Sequence, residues 1–275
     1  MQKNDKKLNF VFFGTPDVAR DTLEILKEAE YMPSLIVTAP DRPQGRKMLI
    51  TPPLVKLWAI ENNIPYIQPE KLDSENFKTA ADLFIVVAYG KIIKEEILNI
   101  PKLGSLNVHY SLLPKYRGAS PVESAILNGD TETGIAIQKM AYKLDTGDLI
   151  ALEKVQIMPE EKTPELRKRL IKLGGELLVK TLPKFINGEI TPTPQNENEA
   201  THCSKIKKED GLVDLNDNGV KNYNKFRAYA TWPRTYFFKD GKRIIVTKAK
   251  LEDGKFVIDK IIPEGGKEID YKISI

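Results

Sequence analysis

Cysteine and histidine are scarce in this chain. Cys203 is the single cysteine among 275 residues, so an intrachain disulfide is excluded, which favours a reducing compartment. The two histidines, His109 and His202, lie far apart in the sequence. Together with one cysteine they do not give the ligand spacing that is typical of zinc sites. We therefore predict that the protein holds no metal.

Long hydrophobic runs are also missing. No stretch approaches the roughly 18 consecutive apolar residues that a membrane span requires, and no apolar signal-peptide segment follows the polar N-terminus. The composition is 41% hydrophobic and 29% charged with a mean hydropathy of −0.34, which is typical of a globular protein. We expect a cytoplasmic monomer that does not associate with membranes.

Charge is distributed unevenly along the chain. Residues 201–275 contain 16 Lys and Arg against 11 Asp and Glu, whereas the rest of the chain contains 26 against 27. Nine of the basic residues fall within 221–250, where Asp240 is the single acid. Such a block is either a solvated face or part of a basic domain that binds a polyanion.

The first 150 residues alternate between strand and helix patterns. Continuous apolar, β-branched runs occur at 8–13, 34–39, 83–88 and 103–109, and helical segments are predicted at 54–62, 91–98 and 120–128. This alternation indicates an α/β domain with a parallel sheet that is covered on both faces. Ligands of such sheets bind at the carboxyl ends of the strands, where Gly14, Gly90 and the segment after His109 should lie.

The remainder of the chain predicts a second, smaller domain. Strands at 134–140 and 149–157 precede a long helix at 164–185, and a Pro-, Asn- and Glu-rich stretch then changes the composition. A helical segment near 219–230 follows, and then strands that break at Asp240-Gly241 and Asp253-Gly254, which are hairpin signals. We predict a catalytic domain over 1–189, a linker over 190–204 and a β-rich domain over 205–275.

Three polar residues are candidates for chemistry. Asn107 and His109 are two residues apart at the end of a predicted strand, so their side chains point the same way, and Asp145 lies in an acidic turn after another strand. An amide, an imidazole and a carboxylate suit acyl transfer, because they can stabilise an oxyanion, move a proton and orient the histidine. A structural histidine and a plain turn are the competing interpretations.

Other chemistries have little support in the sequence. No serine or cysteine lies in a nucleophile elbow, so a covalent intermediate is not indicated. Gly14 stands alone rather than in a G-x-G-x-x-G motif, which disfavours a dinucleotide site. The residues alone therefore indicate an α/β enzyme that transfers or hydrolyses a group near Asn107 and His109.

Two segments of the chain resemble the signatures of a known family. The segment 107–121, NVHYSLLPKYRGASP, resembles the first signature of the folate-dependent formyltransferases, and 144–148, LDTGD, resembles the second. The order and separation of the two segments also match that family. The resemblance implies a Rossmann-like, mostly parallel N-terminal domain and a small β-rich, OB-like C-terminal domain. It also implies that Asn107, His109 and Asp145 form the catalytic trio.

Further segments resemble the branch of this family that acts on methionyl-tRNA. They are FFGTPD at 12–17, PDRPQGRK at 40–47, KIKKEDG at 205–211 and ATWPR at 230–234. The resemblance implies that 10-formyltetrahydrofolate is the formyl donor, that initiator methionyl-tRNA is the acceptor, and that Arg42, Arg46 and Lys47 contact the tRNA. It implies a folate site formed by two segments: Ser111, Leu112, Leu113 and Pro114, and Val87, Ala88, Tyr89 and Gly90.

The chain departs from the family pattern in three places. Tyr110 replaces a small residue or proline, which we expect to narrow the folate entrance, and Lys143 brings a positive charge close to Asp145. The C-terminal domain is shorter than usual, so we expect fewer tRNA contacts.

Two classes of alternative remain. The first is a related enzyme, either a formyltransferase that acts on sugar-nucleotide or other small amines or a formyl-folate hydrolase. The second is an RNA-binding module whose α/β domain is inactive.

Overall fold

The structure is a computed structural model that describes residues 8–45, 48–75 and 77–274. The chain forms two compact units. The first contains Met1–Pro114, Ile135–Glu153 and Ile171–Glu199, and the second contains Lys115–Gly134, Lys154–Leu170 and Ala200–Ile275. The boundaries predicted from composition, at 189 and 205, stay a prediction.

Fifteen strands are present in the described part of the chain: β1 (Phe10–Gly14), β2 (Leu35–Val37), β3 (Arg42–Gln44), β4 (Leu49–Thr51), β5 (Tyr66–Ile67), β6 (Leu83–Val87), β7 (Ser105–His109), β8 (Arg117–Gly118), β9 (Glu132–Lys139), β10 (Leu149–Gln156), β11 (His202–Cys203), β12 (Tyr236–Lys239), β13 (Lys242–Glu252), β14 (Lys255–Pro263) and β15 (Ile269–Ser274). The α-helices are α1 (Asp17–Glu28), α2 (Leu54–Glu61), α3 (Glu95–Leu98), α4 (Pro121–Leu127), α5 (Thr163–Ile186) and α6 (Gly219–Ala228). Two short 3-10 helices cover Glu197–Glu199 and Lys208–Gly211.

A seven-stranded sheet organises the first unit, in the order β10-β9-β7-β6-β1-β2-β5. The strands from β7 to β5 are parallel to their neighbours, and β9 runs antiparallel to β7. Every residue of β1 and β6 is buried, because their continuous apolar sequences FVFFG and LFIVV cover both faces of the sheet. The predicted mostly parallel α/β fold is confirmed.

One predicted helix is much shorter than expected. The pattern at 91–98 predicts two turns, but α3 covers only the last four of these residues. Gly90 has a left-handed φ of +79°, and the Nζ of Lys91 donates to the carbonyl oxygens of Pro69 and Glu70 at 2.7 and 3.0 Å. These tertiary contacts hold the start of the segment outside a helix.

The second unit contains a small antiparallel sheet in the order β12-β13-β14-β15. Its first two turns are the predicted ones: Asp240-Gly241 and Asp253-Gly254 all have positive φ, as type I′ turns of two-residue hairpins require. Helix α6 contributes Tyr223 and Phe226 to the hydrophobic core of this sheet. The predicted small β-rich domain is confirmed as a four-stranded meander.

None of the helices in the described part of the chain is both long enough and apolar enough to cross a lipid bilayer.

Two adjacent glycines, Gly174 and Gly175, lie inside α5, and Gly175 allows a close contact with α1. A Cβ on Gly175 would lie 2.5 Å from Cδ1 of Ile25, well inside normal contact distance. A glycine inside a helix costs about 1 kcal/mol relative to alanine. The close approach to Ile25 explains why this cost is tolerated, since a larger residue would overpack the contact.

We predict that Gly175→Ala lowers the free energy of unfolding by about 1–2 kcal/mol, because the overpacking outweighs the gain in helix propensity. Chemical denaturation checks this value. Lys172→Ala on the exposed face of the same helix is the control and should change stability by less than about 0.5 kcal/mol. The double variant Gly175→Ala/Ile25→Ala should lose less stability than the sum of the losses of the two single variants, because the shorter side chain at position 25 relieves the overlap. Strict additivity would contradict the steric explanation.

Candidate functional site

Strand β7 places the first two candidate residues at the carboxyl edge of the central sheet. Asn107 pairs in register with Val86 of β6 and with Gln138 of β9, and His109 pairs with Ala136. Because side chains alternate along a strand, Asn107 and His109 share one face. His109 is 6% exposed and Asn107 is half-buried, so both are within a largely desolvated part of the sheet.

The structure brings Asp145 to His109. The Oδ2 atom of Asp145 lies 3.7 Å from Nδ1 of His109, and the two side chains are only 10% and 7% exposed. This separation is longer than a hydrogen bond but within the distance at which opposite charges form an ion pair. Burial lowers the local dielectric and strengthens that contact. The two residues are 36 positions apart in the sequence, and the sheet brings them together.

The turn that carries Asp145 is tightly constrained. Asp145 has φ +52°, a left-handed conformation that costs about 1–2 kcal/mol for most non-glycine residues and is better tolerated by Asp and Asn. Gly147 passes so close to β9 that a Cβ would overlap the carbonyl oxygen of Lys139. The amide of Lys139 also donates to the carbonyl oxygen of Asp148 at 2.8 Å. The turn therefore keeps Asp145 against the end of β9.

Two glutamines that are not among the predicted site residues contact this turn. The side chain of Gln138 donates a hydrogen bond to the carboxylate of Asp145, and the side chain of Gln195 donates hydrogen bonds to backbone carbonyls of the turn. Gln138 carries a sequence signal, because it is a polar residue directly after the apolar run 135–137 of a predicted strand. Gln195 lies in the predicted linker, and nothing in the sequence distinguishes it from its polar neighbours.

The first predicted folate segment begins at the last residue of β6. Val87 and Tyr89 are buried whereas Ala88 and Gly90 are exposed, and the latter two have left-handed φ values of +46° and +79°. The hydroxyl of Thr15 donates to the carbonyl oxygen of Tyr89 at 3.0 Å, which ties this segment to the end of β1. Burial raises the pKa of Tyr89 to about 12. The segment thus has a fixed backbone shape at the carboxyl edge.

The second predicted folate segment follows β7. Ser111, Leu113 and Pro114 are buried, and Leu112 is half-buried. The Leu113-Pro114 peptide bond is cis. Both segments follow neighbouring parallel strands, so the fold brings them to the same edge of the sheet as the histidine.

Tyr110 does not narrow this edge, which corrects the expectation from the sequence. A Cβ on Gly174 would lie 3.1 Å from Cε1 of Tyr110 and 3.3 Å from Cγ1 of Val108, so both side chains face α5. Val108 alternates with His109 along β7 and lies on the opposite face, and the ring of Tyr110 contacts the same part of α5 as Val108. The glycine in α5 leaves room for the tyrosine ring.

The basic segment predicted to contact tRNA lies partly in a hairpin formed by β3 and β4. Arg42 is exposed and forms an ion pair with the exposed Glu70. Arg46 and Lys47 lie outside the described residues. After them, Met48, Leu49 and Ile50 are 66%, 64% and 73% exposed, so the hairpin presents apolar as well as basic side chains.

Within residues 8–45, 48–75 and 77–274, no group of three or more His, Cys, Asp or Glu side chains is arranged so that it could hold a metal ion.

Comparison with known proteins identifies the family. Residues 6–182 match the family described as "Formyl transferase", and residues 205–271 match "Formyl transferase, C-terminal domain". A relative from Staphylococcus epidermidis, named "Methionyl-tRNA formyltransferase", is 42% identical over 250 residues, which covers 89% of this chain and 80% of the relative.

Solved structures show the same fold at low sequence identity. Methionyl-tRNA formyltransferase from Clostridium thermocellum matches with a TM-score of 0.62 and 18% identity, covering 96% of this chain and all of that one. An N-formyltransferase from Helicobacter canadensis, solved with folinic acid and dTDP-3-aminofucose, matches with a TM-score of 0.67 and 20% identity, covering 97% of this chain and 100% of that one. The two matched domains and the close relative together show that the chain belongs to the formyltransferase family.

Proposed function

We propose that this protein transfers the formyl group of 10-formyltetrahydrofolate to the α-amino group of initiator methionyl-tRNA, giving formylmethionyl-tRNA for translation initiation. The observation that carries the proposal is the buried contact of His109 with Asp145 on the face of the sheet that also carries Asn107. The name of the relative that is 42% identical to the chain supports the choice of acceptor.

The geometry suits direct transfer. The uncharged α-amino group attacks the formyl carbon, and a tetrahedral centre with a negative oxygen forms. The side-chain amide of Asn107 and the protonated imidazole of His109 donate to that oxygen, and the carboxylate of Asp145 stabilises the imidazolium. The bond from the formyl carbon to the folate nitrogen then breaks. That nitrogen gains a proton, and the former amine loses one.

The folate donor would bind along the two segments that follow β6 and β7. A flat pterin ring needs hydrogen bonds at its edge and apolar contacts on its faces. The left-handed backbone at Ala88 and Gly90 leaves peptide groups at an exposed edge, and Leu112 and Leu113 supply apolar contact area. Binding at the carboxyl edge of the sheet brings the donor next to His109.

The tRNA would contact the β3–β4 hairpin and the basic block 221–250. Arg42 must leave Glu70 to reach a phosphate, and an exposed ion pair of this kind contributes only about 0–1 kcal/mol. Arg227 is excluded from the basic surface. It is 6% exposed and donates to Asn224 and to the carbonyl oxygen of Glu161, so it belongs to the core of the second unit.

Replacing Asn107 tests the chemistry. We expect Asn107→Ala to lower kcat for formyl transfer to methionyl-tRNA by roughly 100- to 1000-fold, because one oxyanion donor is removed, while tRNA binding is kept. Turnover with charged initiator tRNA and a binding titration measure the two effects. Asn187→Ala, at an exposed position after α5, is the control and should have normal activity. Retained turnover of Asn107→Ala would remove this residue from the proposed catalytic set.

Replacing exposed lysines of the second unit tests the tRNA surface. Lys239, Lys242 and Lys248 are exposed, and we expect their combined replacement by Ala to reduce the salt dependence of tRNA binding. The slope of log K against log salt should become shallower by roughly 0.7–0.9 for each tRNA phosphate that a lysine no longer neutralises. Replacing Lys102, Lys172 and Lys180, which are exposed in the first unit, removes the same charge and should have a smaller effect. Equal slopes for the two triple variants would make the block an ordinary solvated face.

The acceptor also separates this function from the other formyltransferases. We expect turnover on initiator methionyl-tRNA and none on sugar-nucleotide amines, measured with the same folate donor. Turnover on the small amine alone would refute the tRNA assignment. Release of formate without any acceptor would indicate a hydrolase.

A further inference from the structure

We propose that Gln138 and Gln195 are positioning residues that together set the orientation of the Asp145 carboxylate toward His109. This inference rests on the proposed function, since it gives the two residues a role in the same reaction. In this role neither glutamine contacts the reacting atoms, and both act through Asp145.

Gln138 is held in one orientation by its partners. Its Nε2 donates to Oδ1 of Asp145 at 2.9 Å, and its Oε1 accepts from the backbone amide of Gly147 at 3.2 Å. A carboxylate only accepts and a backbone N–H only donates, so the amide cannot be reversed without losing both bonds. Gln138 is 1% exposed, and water therefore cannot replace either partner easily.

The bond from Gln138 distinguishes the two carboxylate oxygens of Asp145. Oδ1 accepts from Gln138, and Oδ2 is the oxygen that faces Nδ1 of His109. The terminal torsion of an aspartate is broad when nothing restrains it. Fixing Oδ1 therefore fixes the direction of Oδ2, and the negative charge is kept next to the ring nitrogen of the histidine.

Gln195 fixes the backbone of the same turn from a segment that lies about 50 residues further along the chain. Its Nε2 donates to the carbonyl oxygens of Asp145 and Gly147 at 2.9 and 2.7 Å. The segment that carries Gln195 is itself anchored, because Thr193 and Leu149 exchange two backbone hydrogen bonds of 2.8 and 2.9 Å. This part of the predicted linker is thus a bound element of the first unit. It supports the left-handed conformation of Asp145.

The neutrality of both side chains suits this role. A carboxylate in place of either glutamine would repel the carboxylate of Asp145. A lysine or arginine there would attract that carboxylate away from the imidazole. An amide supplies a donor without adding charge. The two glutamines therefore add hydrogen bonds to the turn without adding charge to it.

The test uses Gln138→Met and Gln195→Met in the full-length protein, with Gln156→Met at an exposed position of β10 as the matched control. We expect each of the first two changes to lower kcat roughly 10- to 100-fold, as for other residues that orient a functional side chain, and to leave KM for folate and tRNA unchanged. The control should have wild-type kcat. Unchanged kcat, or a loss confined to KM, would overturn the proposal.

Nitrogen-15 NMR of the imidazoles gives a second readout that does not depend on turnover. His109 and His202 are the two histidines of the chain, so His202 serves as an internal reference. Both glutamine variants should change the ring-nitrogen shifts of His109 and leave those of His202 unchanged. Unaltered His109 shifts would overturn the positioning role even if kcat fell.

These readouts keep the two proposals apart. A wild-type protein that is inactive on methionyl-tRNA refutes the proposed function, whereas the His109 signals still report on the two glutamines.

If Gln138→Met does not fold, Gln138→Asn keeps a polar amide but is one methylene too short to bridge Asp145 and Gly147. It should reproduce the change at His109 in a folded protein, and wild-type shifts in that variant would contradict the inference.

Discussion

The buried electrostatic contact of His109 with Asp145 is the interaction on which the rest of the site depends. A carboxylate and an imidazole that are each at most 10% exposed are stable together only if they neutralise each other or bond to other polar groups. The central sheet supplies the desolvation, since its inner strands are apolar on both faces. The same low dielectric that makes these polar groups costly to bury also makes their charges effective in a reaction.

This contact also explains the shape of the turn after β9. Asp145 reaches β7 only because the chain enters a left-handed conformation there and passes against Lys139 without a side chain at Gly147. Such strain persists where the surroundings over-determine the conformation. A backbone hydrogen bond from Lys139 and side-chain hydrogen bonds of Gln138 and Gln195 provide that constraint. Local strain is thus offset by contacts from β9 and from the segment near 195.

The parts of the fold that local pattern specifies were predicted well. The apolar runs of β1, β6 and β7, the long periodic helix α5 and the two Asp-Gly turns are confirmed, because each depends on residues that are adjacent in the sequence. Predictions failed where distant residues decide the outcome. Helix α3 is short because Lys91 bonds to residues near 70, and Tyr110 turns away from the site because Gly174 leaves space for its ring.

The sequence by itself determined the family signatures, the residue types of the trio and the strand alternation that places Asn107 and His109 on one face. The tertiary structure alone decided that Oδ2 of Asp145 faces the imidazole, that Gln138 and Gln195 contact its turn, and that Arg227 is buried rather than available to tRNA. The physical reason is that strand periodicity and signatures are short-range properties of the chain. The partner of a buried polar group is set by sheet register and packing between segments that lie tens of residues apart.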